Sequence, residues 1–62
     1  MKIYMDPKET TIINLAEVKR ISKYDTKSLM IWFKDGDFKE IGFLNREQRD
    51  DELRVIFHEM HD

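Results

Sequence analysis

Residues 29–33 read Leu29-Met30-Ile31-Trp32-Phe33, an unbroken apolar run between two polar turns. A strand points alternate side chains to opposite faces. Leu29, Ile31 and Phe33 then share one face, and Met30 and Trp32 share the other. A strand that is apolar on both faces needs cover on both. The flanking pattern is shorter and more polar. Lys2-Ile3-Tyr4-Met5 alternates and predicts a short strand, and the β-branched Thr10-Thr11-Ile12-Ile13 predicts a second. Asp6-Pro7-Lys8-Glu9 between them is turn chemistry, with proline pre-set for the second turn position. Residues 14–17 break the pattern and predict one helical turn started by Asn14. Residues 18–24 predict a strand carrying Lys19, Arg20 and Lys23, and Asp25-Thr26-Lys27-Ser28 a polar turn.

The apolar strand, residues 29–34, runs into Asp35-Gly36-Asp37 and a return strand over residues 38–43. Asp-Gly between two apolar runs is a strong hairpin signal. A two-residue loop pairs Phe33 with Phe38 and puts Met30, Trp32, Ile41 and Phe43 on one face. A three-residue loop with Gly36 as the bulge pairs Trp32 with Phe38 and gathers Leu29, Ile31, Phe33, Ile41 and Phe43 instead. Both registers leave large apolar groups on both sides. Gly42 marks a bulge or a close approach of backbone.

The period then changes. Asn45-Arg46-Glu47-Gln48 resembles a helix start, with Asn45 as cap and Gln48 three residues on. Leu53, Ile56, Phe57 and Met60 form an apolar stripe at i, i+3, i+4, i+7. The first turns, residues 46–52, hold no apolar residue and are expected to overhang the sheet in water. Asp50 and Arg54 are spaced to pair at i, i+4, worth roughly 0.2–0.5 kcal/mol. The expected fold is α+β: a meander-like antiparallel sheet of four to five short strands with one C-terminal helix packed on one face. Residues 1–62 form a single domain, the sheet region spanning 1–43 and the helix 45–61. Ile3, Ile13, Ile21 and part of the hairpin are expected to meet the helix.

A 62-residue chain is one domain of modest stability. It has no cysteine, so neither disulfides nor thiolate metal sites staple it. Association is the remaining common way to stabilise so small a core. The opening residues meet a charge and a proline before any apolar run, so no signal peptide is expected, and no segment approaches the ~20 apolar residues of a membrane span. The expected location is the cytoplasm. With 11 basic and 13 acidic residues the net charge is −2, which lacks the basic excess of a dedicated nucleic-acid binder.

Catalytic and metal chemistry find little support. His58-Glu59-Met60-His61 departs from the H-E-x-x-H spacing, and histidines near a helix C-terminus complement its partial negative charge. Asp50, Asp51 and Glu52 point about 100° apart on a helix and do not converge. Ser22 and Ser28 lie outside any glycine-flanked elbow, and two glycines build no phosphate loop. Asp35-Gly36-Asp37 lacks the spaced ligands of a calcium loop. No metal, cofactor or enzyme activity is expected.

The order of elements has a counterpart. Residues 13–21 (Ile13-Asn14-Leu15-Ala16-Glu17-Val18-Lys19-Arg20-Ile21), the strand at 29–33, Asp35-Gly36 and Leu53 in an acidic helix resemble the opening of LytTR-type DNA-binding domains. Small flagellar proteins of the FlbD type share much of that order. The DNA-reading later half of the LytTR domain has no counterpart, so the resemblance carries over no binding residue.

The expected function is therefore that of a small non-enzymatic protein-binding module, with a protein partner or a second copy of itself, as a homodimer or higher oligomer. Its size and style suggest a phage or mobile-element accessory protein that occludes a host protein. Trp32, Met30, Tyr24, Tyr4 and Phe38 are the expected partner contacts, since such residue types concentrate at interface centres. The alternative is a small nucleic-acid-binding regulator, with Lys19, Arg20 and Lys23 beside sheet aromatics on which bases would stack.

Overall fold

The computed structural model describes residues 2–61. Along the chain run β1 (Ile3–Met5), β2 (Ile12–Asn14), a 3-10 turn (Leu15–Glu17), β3 (Val18–Lys23), β4 (Ser28–Phe33), β5 (Phe38–Gly42) and α1 (Arg46–Met60). The fold is α+β, antiparallel strands followed by one helix. The strands divide where a single sheet of four to five was expected. β1 and β2 pair as a two-stranded sheet, and β3-β4-β5 make a three-stranded meander. The 3-10 turn separates the two, because the Asn14 side chain accepts the Ala16 N–H at 3.0 Å and caps it.

Asp6 decides which way β1 faces. Its carboxylate accepts the Thr10 and Thr11 N–H groups at 2.8 and 3.0 Å and the Thr10 hydroxyl at 3.0 Å, tying the β1–β2 loop together. Asp6 is buried, and Tyr4, two residues back, points inward with it. A one-residue slip would reverse every side chain. Ile3, expected under the helix, is consequently 49% exposed, and Tyr4 takes the inward place opposite Ile13. Partial burial pushes the Asp6 carboxyl up, but the donors from Thr11 and Thr10 outweigh it and hold it below the usual carboxylate range. The stabilisation is thus complete above the unfolded value near ~3.9 and lost as pH falls through the lower folded value. Urea titrations across pH should show Asp6→Asn less stable than the parent at pH 7, with the gap closing below about pH 4. A gap constant with pH would remove Asp6 from the acid transition.

The hairpin takes the second of its two registers. Trp32 pairs with Phe38 and Leu29 with Ile41. Phe33 donates to the Asp37 carbonyl at 2.8 Å and Gly36 to the Phe33 carbonyl at 3.0 Å, closing a loop whose Gly36 has φ +93°. That left-handed position favours glycine. Gly42 carries no bulge, since it pairs in register with Ser28. The irregularity lies in β3, where the pairing shifts between Val18 and Arg20.

Leu29, Ile31, Ile41 and Phe43 join Tyr4, Ile13, Leu15, Val18 and Ile56 in the core. Asn45 starts the helix as expected, accepting the Gln48 N–H at 2.8 Å. Gln48 Oε1 in return accepts the Leu44 N–H at 2.8 Å. The buried stripe differs from the expected one. Ile56 is fully buried, Leu53 and Met60 pack against the core, and Phe57 is 63% exposed. The residue completing the stripe is Arg49, which is buried. The first helical turns therefore do not overhang. Asp50 also departs from the expected pairing, meeting Arg49 at 2.8 Å and Lys23 at 3.5 Å, while Arg54 meets Asp51 at 3.0 Å.

Candidate protein-binding face

The register fixes two faces of the three-stranded sheet. Ile21, Leu29, Ile31 and Ile41 look toward the helix. Arg20 and Ser22 of β3, Met30 and Trp32 of β4, and Phe38 and Glu40 of β5 look the other way, as their pairing requires. Tyr24 joins this second face, because it donates to the Ser28 carbonyl at 3.0 Å and continues the ladder by one pair. One helix covers one sheet face, so the aromatic side stays open.

Four of the five expected partner contacts thus come together. Tyr24 and Phe38 are 59% and 61% exposed, and Met30 and Trp32 are half-buried between them. The Arg20 guanidinium lies 4.1 Å from the centre of the Trp32 ring. That cation–π contact keeps a charge beside the indole. The fifth contact, Tyr4, lies elsewhere. It is 4% exposed, and its hydroxyl donates to Glu52 Oε1 at 2.7 Å, so it ties β1 to the helix. Burial and the neighbouring Glu52 and Asp6 carboxylates push its phenol well above the usual range, so it stays a donor.

The three basic residues of the alternative reading do not converge. Arg20 lies on the open face, Lys23 is drawn to Asp50 of the helix, and Lys19 sits at the irregularity of β3. The open face carries Arg20 near one margin and Glu40 near the other. A second exposed apolar group escaped the sequence reading. Ile3, Met5 and Ile12 face outward from the two-stranded sheet, at 49%, 48% and 67% exposure. Its signal was the alternation of residues 2–5, once Asp6 is required to point inward.

At the helix C-terminus the His61 ring lies 4.2 Å from the Phe57 ring, with Nδ1 2.9 Å from the Phe57 carbonyl. Among the described residues, no three His, Asp or Glu side chains gather as a metal would need, and no helix is long and apolar enough to cross a membrane. Models of known protein families, curated proteins and solved structures provide no match to this chain. The LytTR-like order of elements is accordingly a likeness of pattern alone.

Proposed function

We propose that this chain is a non-catalytic protein-binding module that associates with a second copy through the open face of its three-stranded sheet. The observation that carries this is the clustering of Tyr24, Met30, Trp32 and Phe38 on the side away from the helix. Contiguous exposed apolar groups on a small protein usually mark an interaction site. A second copy suits the face electrostatically. A two-fold axis parallel to β4 lays β3 of one copy over β5 of the other, which brings Arg20 toward Glu40 of the opposite copy. Sheets packed about 10 Å apart leave such long side chains within reach of each other.

The face is small. Three strands about 4.8 Å apart span roughly 14 Å, which places the contact among weak interfaces of under about 1,200 Å² in total. A contact of that size associates with concentration, and light scattering should be read across a concentration series. The mass should rise toward twice the monomer value. Trp32→Glu should weaken association by at least about tenfold, as expected for a central aromatic contact, while leaving the far-ultraviolet spectrum unchanged. A monomer at every concentration, or a dimer indifferent to Trp32→Glu, would overturn the reading.

Nucleic acid is the second reading, favoured by the Arg20–Trp32 stack beside Tyr24 and Phe38. It has less support, because Lys23 is engaged by the helix and Glu40 shares the face. In the same titration, added single-stranded oligonucleotide should leave the mass unchanged. A complex that dissolves steeply with salt would favour this second reading over the first.

A further inference from the structure

The second margin of β3 is open. Tyr24 donates to Ser28, so alternate residues of β3 turn their backbone groups toward β4. Ile21 and Lys23 stand in the intervening pairs and turn their N–H and C=O groups outward. Among the described residues no backbone group outside the β3–β4 pair bonds them. β3 is an outer strand of the sheet, so nothing continues the ladder on that side.

Beside this edge lies a groove of about 690 Å³ between β3 and the C-terminal half of the helix. Its floor is apolar: Ile21, Leu53, Phe57 and Met60. The outward turn of Phe57 is what makes the floor wide, since that side chain lines the groove without filling it. Among the described residues the lysine and arginines around it are of one sign. Lys19, Arg20 and Arg54 line the groove with His58 and His61, and among the described residues no carboxylate does. Arg54 shares its charge with Asp51, 3.0 Å away, which leaves Lys19 as the stronger cation of the groove and Arg20, whose guanidinium lies over Trp32, as the cation of its open-face rim. This local excess stands out in a chain of net charge −2.

We infer that the β3 edge and its groove take up an extended segment of a partner protein in which apolar residues alternate with aspartate or glutamate. Backbone pairing with Ile21 and Lys23 supplies the ladder, as in other cases of strand addition to a sheet edge. Every second side chain of the added strand drops into the apolar floor, and the others point to the open-face side beside Arg20. Charge decides against a second copy here. Antiparallel self-pairing centred on Ile21 sets Lys19 opposite Lys23, a like-charge pair that Asp50, 3.5 Å from Lys23, offsets only in part. Lysines on an edge strand discourage association with an identical edge and leave an acidic strand acceptable.

The inference does not rest on the dimer: the free backbone edge and the apolar floor lie outside the open face, and the two readings share only Arg20. The test uses the full chain and two labelled seven-residue peptides, one alternating glutamate with valine and the other lysine with valine. Fluorescence anisotropy at low salt should show the glutamate peptide binding at least about tenfold more tightly, a preference that shrinks as salt screens it. The Ile21 and Lys23 amide signals should shift and gain exchange protection on binding. Phe57→Glu, at an exposed position, should abolish binding without unfolding the chain. Equal affinity for both peptides, no binding to the folded chain, or undiminished binding by Phe57→Glu would overturn the inference. A monomeric chain that takes up the glutamate peptide upholds it while ending the dimer reading, and a dimer that ignores the peptide does the reverse.

Discussion

Ile56→Ala is expected to leave most molecules unfolded at 37 °C. Ile56 is fully buried, and it is the one helix residue that the core encloses completely. Removing three carbons from such a site costs about 2–5 kcal/mol, part for the lost transfer and part for the cavity left behind. A domain of this size holds only a few kcal/mol in all. The helix would then lose its seat, because its other inward apolar groups, Leu53 and Met60, are only partly buried. Urea denaturation followed by circular dichroism should show a loss within that range. Ile56→Val should cost only about 0.5–1.5 kcal/mol. A loss under about 1 kcal/mol for the alanine variant would mean that the helix is not held by this contact.

The identity and order of the elements were readable because each rests on a local signal. Asn14 and Asn45 announce their helical turns with side chains that do cap them. Asp35-Gly36 announces the hairpin, and the observed loop uses Gly36 at the left-handed position. The hairpin register was narrowed to two, and only the packing of Ile41 and Phe43 against the helix side selects between them. What the pattern could not reveal depends on contacts distant in sequence. The division into two sheets follows from the 3-10 turn, whose length does not show where β2 stops pairing. The inward turn of Tyr4 depends on Asp6, whose partners Thr10 and Thr11 lie across a loop.

The open face was legible for a simple reason. Met30 and Trp32 share a face by period-two alternation alone, and Tyr24 and Phe38 join them in the register that pairs Trp32 with Phe38 and Tyr24 with Ser28. The groove was not legible, because it needs Phe57 to leave the stripe on which its spacing seemed to place it. Phe57 leaves because the stripe is anchored one turn earlier than the apolar residues suggest. Arg49, Leu53, Ile56 and Met60 stand at i, i+4, i+7 and i+11, which is one helical face. An arginine stem covers apolar surface as a methionine would, while its head seeks partners at the rim. Counting only apolar letters therefore shifts the stripe toward Phe57.

Arg49→Ala should accordingly destabilise the protein by about 2–3 kcal/mol, more than any exposed charge would. Arg49 is 5% exposed, and its guanidinium serves two elements. Nε and Nη2 donate to Asp50 Oδ1 at 3.0 and 2.8 Å, and Nη1 donates to the Asp25 carbonyl in the β3–β4 turn. Hydrogen bonds to charged groups are each worth more than neutral ones, and the truncation also leaves a void under the helix start. Arg49→Lys should recover little, because a point charge on a flexible stem cannot span both partners as the planar fork does. The Asp50 carboxyl supplies a reading independent of overall stability. Its hydrogen bond from Arg49 is the main reason it sits below the usual carboxylate range, with Lys23 adding to the effect. In Arg49→Ala it should move back up toward its ordinary value, followed by the side-chain carbon signal in a pH titration. The sign follows from the lowered folded value. The contribution is present above the unfolded carboxylate pKa near ~3.9 and lost as pH falls through the folded one, so the stability gap between parent and variant should narrow in acid. An Asp50 titration unmoved by the substitution would mean that Lys23 alone holds this carboxylate, and that Arg49 matters only for its buried stem.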